Sequence, residues 1–380
     1  MDELNVNSLK YAREYLNLSL EDVTKKQDFK NLSDWECGNK LPTSKQLEKL
    51  AKYYNRSYFF FFDTDLPTNE KIFADFRNKD YSKDFSKNAI LAIDKAKENR
   101  LNYIELATEL SFDIPNFVNL SCNSFSIKDD ASKIANDFSK KININYEYIK
   151  NKKKLIEKSI YIKSLIENTG VLIFESDTQA SYQFDDFRGC ALYFDGYIPI
   201  ILLNGKESYS GKIFTMFHEF AHLLLKHTSY NKDVLDEKGK EEVWCNKFAA
   251  NILMPEDLVN IKFKNIKPNN DLYKQIQALA TEFAVSFDAF LIRLLNLKLI
   301  NETTFNDLKD TYQKTNNKKK PGGIKHYDID CIKRNGKPYL SLVIEALHAN
   351  IIHKKHWGSY TKLNPIRYIG HIEEILFNNA

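Results

Sequence analysis

The stretch Phe214-Thr-Met-Phe-His-Glu-Phe-Ala-His-Leu-Leu-Leu225 places three polar residues in the middle of an apolar helical pattern. Histidines four positions apart share one face of a helix, so His218 and His222 can direct their rings to a common point. Glu219 lies one step round the helix, where its carboxylate can reach a water molecule without being a ligand. Buried polar groups are destabilising unless they are satisfied, so this cluster needs a chemical reason. The pattern therefore predicts a metal ion held by the histidines, with a general base beside it. The alternative is a pair of hydrogen-bonded core histidines next to a solvated glutamate.

A third protein ligand is expected, because zinc sites that activate water use three side chains. Glu241 and Glu242 open the next predicted helix, and Glu242 shares a helical face with Cys245, Ala249 and Leu253. A face that is apolar except for its first residue would present Glu242 to the metal and turn Glu241 elsewhere. Two alternatives stay open at this point. The acidic first turn could simply complement the helix dipole, or Cys245 could be a soft ligand one turn further on.

The residues around both helices resemble the ImmA/IrrE metallopeptidases. The resemblance rests on the quoted stretch and on the following segment Glu242-Val-Trp-Cys-Asn-Lys-Phe-Ala-Ala-Asn-Ile-Leu-Met-Pro255. Upstream and downstream segments also fit the family: Asp186–Leu192, Pro199–Asn204 and Ala278–Leu297. Three further segments resemble the subgroup of this family that carries a fused helix-turn-helix domain: Trp35–Gly38, Gln46–Arg56 and Asp75–Arg77.

The resemblance implies roles for individual residues. His218, His222 and Glu242 match the family's zinc ligands, and Glu219 matches its catalytic base. Asn246 matches a motif position, to which we assign a supporting contact behind a ligand. Cys245 stands where the family usually has alanine, and could crowd or compete for the metal. The two histidines and one carboxylate also accept Mn²⁺, so the expected cofactor is Zn²⁺ with Mn²⁺ as the alternative. A tetrahedral oxyanion needs a further donor, for which Arg188 or a tyrosine is a candidate.

Composition excludes several classes of protein. Of 380 residues, 43% are hydrophobic and 28% charged, a balance typical of globular domains. Lys and Arg total 55 against 51 Asp and Glu, and this net charge of +4 argues against a chain-wide nucleic-acid surface. The five cysteines form no Cys-x-x-Cys pair, which favours a reducing compartment over a disulfide framework. There is no leader pattern at the start, and the longest apolar stretches are too short to cross a membrane. We therefore expect a cytoplasmic protein.

Hydrophobic periodicity predicts an α+β fold that is mainly helical. Residues 1–66 read as a helix-turn-helix-like domain, 67–160 as a helical connector, 161–310 as a zincin-like metallopeptidase domain and 311–380 as a small basic module. A basic break, Lys318–Gly323, precedes that last module. Three β-rich segments predict a small sheet: Gly170–Phe174, Cys190–Phe194 and Ile198–Leu203. Helices are predicted over Lys212–His227, Glu237–Met254, Asn270–Phe283 and Ser286–Leu297.

The two terminal regions differ in charge. Residues 1–66 carry ten Lys and Arg against eleven Asp and Glu, so phosphate neutralisation would contribute little to DNA affinity there. We therefore expect that this domain is at least as well suited to binding a protein, or to packing on the peptidase domain, as to binding DNA. From residue 315 onward there are eleven Lys and Arg against five Asp and Glu. Such a segment could contact nucleic acid or an acidic partner, but a solvated basic face is the better interpretation.

The resulting hypothesis is a zinc-dependent endopeptidase that cleaves a specific protein. The family resemblance implies that the substrate is a helix-turn-helix repressor, whose cleavage derepresses genes under stress or in mobile-element control. One rival is a transcriptional regulator or partner-binding protein with a silent or structural metal site. Another is a metalloprotease toxin that acts on several proteins.

Overall fold

The computed structural model describes residues 4–66, 85–115, 117, 125–179, 183–229, 237–267, 271–315, 327–363 and 365–377. The chain divides into two compact units, one of residues 1–95 with 180–186 and one of residues 96–179 with 187–380. The described residues are mainly helical with a single small sheet, which confirms the α+β class. No helix among them has the length and apolar character needed to span a lipid bilayer.

The first unit is built from short capped helices. Ser19 and Thr43 each begin a helix with a capping box, which satisfies backbone N–H groups at the helix start. Gly38, with φ +74°, follows the third helix and ends it in the left-handed conformation that glycine adopts readily. Buried Arg13 and Glu36 join the first and third helices by hydrogen bonds of 2.8 and 2.9 Å. The helices are Val6–Tyr15, Leu20–Thr24, Leu32–Glu36, Ser44–Tyr54 and the beginning of Lys87–Glu109.

The second unit contains the sheet. Its strands are β1 (Leu172–Glu175), β2 (Gly189–Leu192) and β3 (Ile200–Leu203), in the order β1-β3-β2. Strand β3 pairs parallel with β1 and antiparallel with β2, so β2 lies at an edge. Every strand residue is buried except the last one of β1, as expected for a sheet covered on both faces. The three predicted strands are confirmed, with ends displaced by up to two residues.

Helices surround this sheet. The helix Tyr209–Leu224, called the site helix below, packs against the sheet, against Leu155–Glu167 and against Glu237–Leu253, called the facing helix. Aromatic rings fill the space between them, and the ring centroids of Phe138 and Phe220 lie 4.7 Å apart. The other helices of the unit are the end of Lys87–Glu109, Ala131–Lys141, Tyr146–Asn151, Glu256–Lys264, Leu272–Glu282, Phe287–Asn296, Glu302–Thr315, Tyr327–Asn335, Lys337–His348, Trp357–Thr361 and Pro365–Phe377.

The C-terminal helices cover the other edge of the sheet. Helix Tyr327–Asn335 packs against β1, and the buried Lys163 ammonium donates to the carbonyl of Lys333 at 2.5 Å. Lys212 closes the same edge through a buried 2.6 Å ion pair with Glu175. The domain boundaries expected after residues 66, 160 and 310 stay predictions. The predicted break Lys318–Gly323 lies outside the described residues.

A buried carboxylate lies where the C-terminal helices meet the helix that precedes β1. Glu167 lies at the start of helix Lys337–His348, where the backbone N–H of Lys337 favours its charged form. Gly336 precedes that helix with φ +77°, and a Cβ there would lie 2.4 Å from Glu167 Oε1, so only glycine fits. Burial raises the pKa of Glu167 to about 7, although Lys163 and the Lys337 N–H favour its charged form.

We predict that Glu167→Gln reduces the pH dependence of the free energy of unfolding. The pKa of Glu167 in the folded protein, about 7, lies above its ordinary value of 4.5, so the folded state binds this proton more tightly. The protonated carboxyl therefore stabilises the wild-type fold at acid pH. This contribution, up to about 3 kcal/mol of the free energy of unfolding, is lost as the pH rises through 7. Urea unfolding at pH 5 and pH 8 measures the change. The exposed Glu147→Gln serves as the control and should keep the wild-type slope. An unchanged slope in the Glu167 variant would contradict the prediction.

Candidate active site

The site helix places both predicted histidines in the core. Ser208 begins the helix by accepting the Gly211 N–H at 3.1 Å. From residue 212 to 224, every residue except Phe214 is buried, which agrees with the apolar pattern of the sequence. His218 and His222 are only 4% and 1% exposed, and their ring centroids lie 5.0 Å apart. Two buried rings one turn apart therefore face the same small volume.

The facing helix brings Glu242 to this volume. The Nε2 atoms of His218 and His222 lie 3.2 Å apart. Glu242 Oε2 lies 3.1 Å from His218 Nε2, and its Oε1 lies 3.2 Å from His222 Nε2. Among the described His, Cys, Asp and Glu side chains, these three form the group close enough to hold a metal ion. The structure thus brings together the three residues that the sequence predicts as ligands.

The distances fit a tetrahedral ion. Ligand atoms about 2.0 Å from a tetrahedral centre lie roughly 3.3 Å from one another, close to the separations found here. The donor set of two imidazoles and one carboxylate is also a recognised set for catalytic zinc, with one coordination position left open. The residues present therefore fit a zinc ion.

The electrostatics of the group also favour a cation. Burial opposes a charge on His222, but hydrogen bonds with Cys245, Glu241 and Glu242 raise its pKa well above the ordinary value. Burial opposes ionisation of Glu242, but hydrogen bonds with His218 and His222 hold its pKa well below the usual range. Positive charge is stabilised at the centre of this cluster, where a divalent ion would supply it.

The second nitrogen of each ring is held by an acceptor on the facing helix. His218 Nδ1 lies 3.0 Å from Asn246 Oδ1, and His222 Nδ1 lies 2.8 Å from Glu241 Oε1. Both oxygens accept, so each Nδ1 carries a proton and each Nε2 is the nitrogen that can offer its lone pair to an ion at the common centre. The contact expected behind a ligand for Asn246 is present.

Glu241 is the residue that sequence reasoning missed. It was expected to point elsewhere, yet its carboxylate bonds His222 and also lies 2.9 Å from His227 Nδ1. Burial opposes its ionisation, but the bonds from both histidines lower the pKa of Glu241 to about 2. Glu241 could have been identified from chemistry, because a histidine that binds a metal needs a hydrogen-bond acceptor for its other ring nitrogen. The His227 side chain is 54% exposed, so Glu241 joins a buried histidine to one at the surface.

Glu219 occupies a separate position, against strand β2. It is fully buried and does not belong to the group of three ligand atoms. The hydroxyl of Ser229 donates to Glu219 Oε2 at 2.5 Å. A Cβ at Gly189 would lie 3.1 Å from Glu219 Cγ, so the side chain lies directly on the strand. A carboxylate that is fixed in this way can act as a base beside the ion without binding it.

The remaining candidates lie outside the group. Cys245 is buried close to His222, and burial raises the pKa of its thiol although His222 favours the thiolate. Arg188 is exposed and lies 3.9 Å from Glu207, so its role as oxyanion donor stays a prediction. Cys190 is fully buried in β2, and burial together with nearby Glu219 raises the pKa of its thiol well above the ordinary value.

One comparison with known proteins identifies this region. Residues 166–295 match the family model described as the IrrE N-terminal-like domain, a family of peptidases. The match covers about a third of the chain, and it includes the sheet, the site helix and the facing helix. It does not include residues 1–66, so the helix-turn-helix-like assignment stays a prediction. No curated protein matches the chain.

We predict that His222→Ala abolishes tight metal binding, because it removes one of three ligands. Wild-type protein purified without chelator should contain about one zinc per chain by elemental analysis, and the variant close to none. His227→Ala is the matched control, since His227 also bonds Glu241 but lies outside the ligand group. Equal metal content in wild type and His222→Ala would refute the ligand assignment.

We also predict that Glu241→Ala weakens zinc affinity by about 10- to 100-fold, the usual effect of removing a partner behind a ligand histidine. Competition with a chromogenic chelator measures this affinity. Glu241→Gln keeps an oxygen acceptor and should recover most of it. An affinity for the alanine variant equal to that of wild type would show that Glu241 does not orient His222.

Proposed function

We propose that this chain, whose residues 166–295 form a peptidase domain of the ImmA/IrrE family, is a zinc-dependent endopeptidase. The observation that carries the proposal is the cluster of His218, His222 and Glu242 inside the matched residues. The two ring nitrogens lie 3.2 Å apart, and each lies 3.1 or 3.2 Å from one oxygen of the Glu242 carboxylate. Glu219 supports it, because a buried carboxylate one residue from a ligand is suited to proton transfer at the same centre.

The chain's own residues divide the work of hydrolysis between them. His218, His222 and Glu242 would hold the ion, which, when bound, polarises the scissile carbonyl and lowers the pKa of the attacking water. Glu219 takes the proton from that water and delivers it to the nitrogen of the leaving amine. Asn246 and Glu241 keep the imidazoles in the tautomer that offers Nε2 to the ion.

Zinc is the proposed metal rather than manganese. Two imidazoles in a near-tetrahedral arrangement suit Zn²⁺, whereas Mn²⁺ prefers six ligands that are mostly oxygen. The cytoplasm is the proposed location. The described cysteines, Cys37, Cys190, Cys245 and Cys331, are free thiols, in keeping with a reducing compartment.

The proposed substrate is a single protein partner, a helix-turn-helix repressor, and we propose that the first unit recognises a protein rather than DNA. Three of its lysines lie within 3.4 Å of carboxylates: Lys25 of Glu21, Lys40 of Asp34 and Lys49 of Asp28. Lysines paired in this way are less available to DNA phosphates, on which affinity for DNA largely depends. The resemblance to the fused-domain subgroup supplies the choice of a repressor.

We predict that Glu219→Gln keeps the metal and lowers peptide cleavage by at least about 10²-fold, because the neutral amide cannot accept the proton. Comparative proteomics of cells expressing wild type and Glu219→Gln identifies the substrate as a protein fragmented only by the wild type. Glu147→Gln, an exposed substitution on a distant helix, is the control and should behave as wild type.

The same experiment separates the rival functions. One fragmented protein in the wild-type cells supports the proposal, and many fragmented proteins support a toxin. If Glu219→Gln reproduces every biological effect of the wild type and no protein is fragmented, the chain is a binding regulator with a silent metal site, and the proposal fails.

A further inference from the structure

The segment that follows the site helix returns along the open edge of β2. Ser229 N–H donates to the Ala191 carbonyl at 3.0 Å, and the Ala191 N–H donates to Ser229 Oγ at 3.2 Å. Two residues after Ala191, the Tyr193 N–H donates to Thr228 Oγ1 at 3.1 Å. An edge strand would otherwise present these backbone groups to solvent or to another chain. The two residues of the segment therefore close the edge nearest to Glu219.

The direction of the Ser229 hydroxyl bond follows from this contact. A hydroxyl has one proton to donate and two lone pairs that accept. Because Ala191 supplies an N–H, Ser229 Oγ must accept there, and its proton is left for Glu219 Oε2, 2.5 Å away. Glu219 is fully buried and Ser229 is 7% exposed, so water competes little for either bond. Two consecutive hydrogen bonds thus connect the strand backbone, the Ser229 hydroxyl and the Glu219 carboxylate.

The Glu219 side chain also packs directly on strand β2 at Gly189. A Cβ at Gly189 would lie 2.4 Å from Thr215 Cγ2 and 3.1 Å from Glu219 Cγ, so the site helix can approach the strand only at glycine. The carboxylate is thus confined by the strand and bonded at Oε2 by Ser229. Such confinement pre-organises a general base, since the group need not be ordered during the reaction.

We propose that Ser229 is a positioning residue for Glu219. Its hydroxyl holds one carboxylate oxygen and so fixes the direction in which the carboxylate faces the ligand group, and the strand backbone at Ala191 fixes the hydroxyl in turn. This inference rests on the proposed peptidase function. It extends that function by a residue that lies outside both the metal ligands and the quoted motif.

The test compares three variants on the cleaved partner or on a peptide spanning its cleavage site. Ser229→Ala removes the hydroxyl, and we expect kcat to fall by about 10- to 100-fold, with KM and zinc content unchanged. Ser229→Thr keeps the hydroxyl and should recover most of kcat. Thr228→Ala is the matched control: it removes the equivalent hydroxyl acceptor for the Tyr193 N–H, one residue past the end of β2, and Thr228 is not the residue that bonds Glu219. We expect it to stay within about twofold of wild type in kcat.

Two kinetic results would overturn the proposal. In one, Ser229→Ala has the kcat of wild type. In the other, Ser229→Ala and Thr228→Ala lose kcat equally, which would mean that closing the strand edge is all the segment does. If wild type and Glu219→Gln are both inactive on every substrate, the proposed function has failed. That outcome differs from an active wild type that is unaffected at Ser229.

A second measurement needs neither activity nor a folded Ser229→Ala protein. A buried hydroxyl proton donated to a carboxylate exchanges slowly, so it should give a downfield proton resonance correlated with Ser229 Cβ in the NMR spectrum of the full-length, metal-free chain. In Glu219→Gln, the acceptor is neutral and the bond weaker, so the resonance should move upfield. A resonance that is the same in wild type and Glu219→Gln would show that the hydroxyl does not bond the carboxylate.

Discussion

A buried imidazole can present Nε2 to a shared ion only when its Nδ1–H already has an acceptor. Without one, the buried N–H would cost about 1–3 kcal/mol, and the ring would have no reason to keep its orientation. Asn246 and Glu241 supply these acceptors at 3.0 and 2.8 Å. They lie on the same helix as Glu242, so one element supplies a ligand and both orienting contacts. The site consequently depends on the register between the site helix and the facing helix.

Aromatic packing maintains that register. On the facing helix, Trp244 and Phe248 stack with ring centroids 5.7 Å apart, and Trp244 Nε1 donates to the Asp129 carbonyl at 2.9 Å. Phe138 contacts both Phe220 of the site helix and Phe248. The residues that bind and orient are therefore interleaved with large apolar residues, which position the helix through dense packing.

Much of the site could be inferred from the chain because its determinants are local. The spacing of His218 and His222 defines one face of a helix. On the next helix, Glu242 shares a face with the apolar residues Cys245, Ala249 and Leu253, which distinguishes it from Glu241. The three strands are recognisable as short apolar runs between turns. The roles of residues that act through contacts with a second helix or strand cannot be inferred in this way. Glu241 could not be assigned by counting along its helix, since its partner is a ring nitrogen 19 positions away. Ser229 acts through a turn that brings it back to β2, and no periodicity encodes such a return.

The buried contact between Glu167 and the start of helix Lys337–His348 has a practical corollary for anyone shortening this chain. Trimming the protein to the family-matched residues 166–295 would strip helix Tyr327–Asn335 from β1 and remove both Lys163 and the Lys333 carbonyl that it bonds. Glu167, buried in the whole protein, would then lose Lys163 and face solvent where the C-terminal helices had packed. A minimal catalytic fragment therefore has to retain the last helices of the polypeptide.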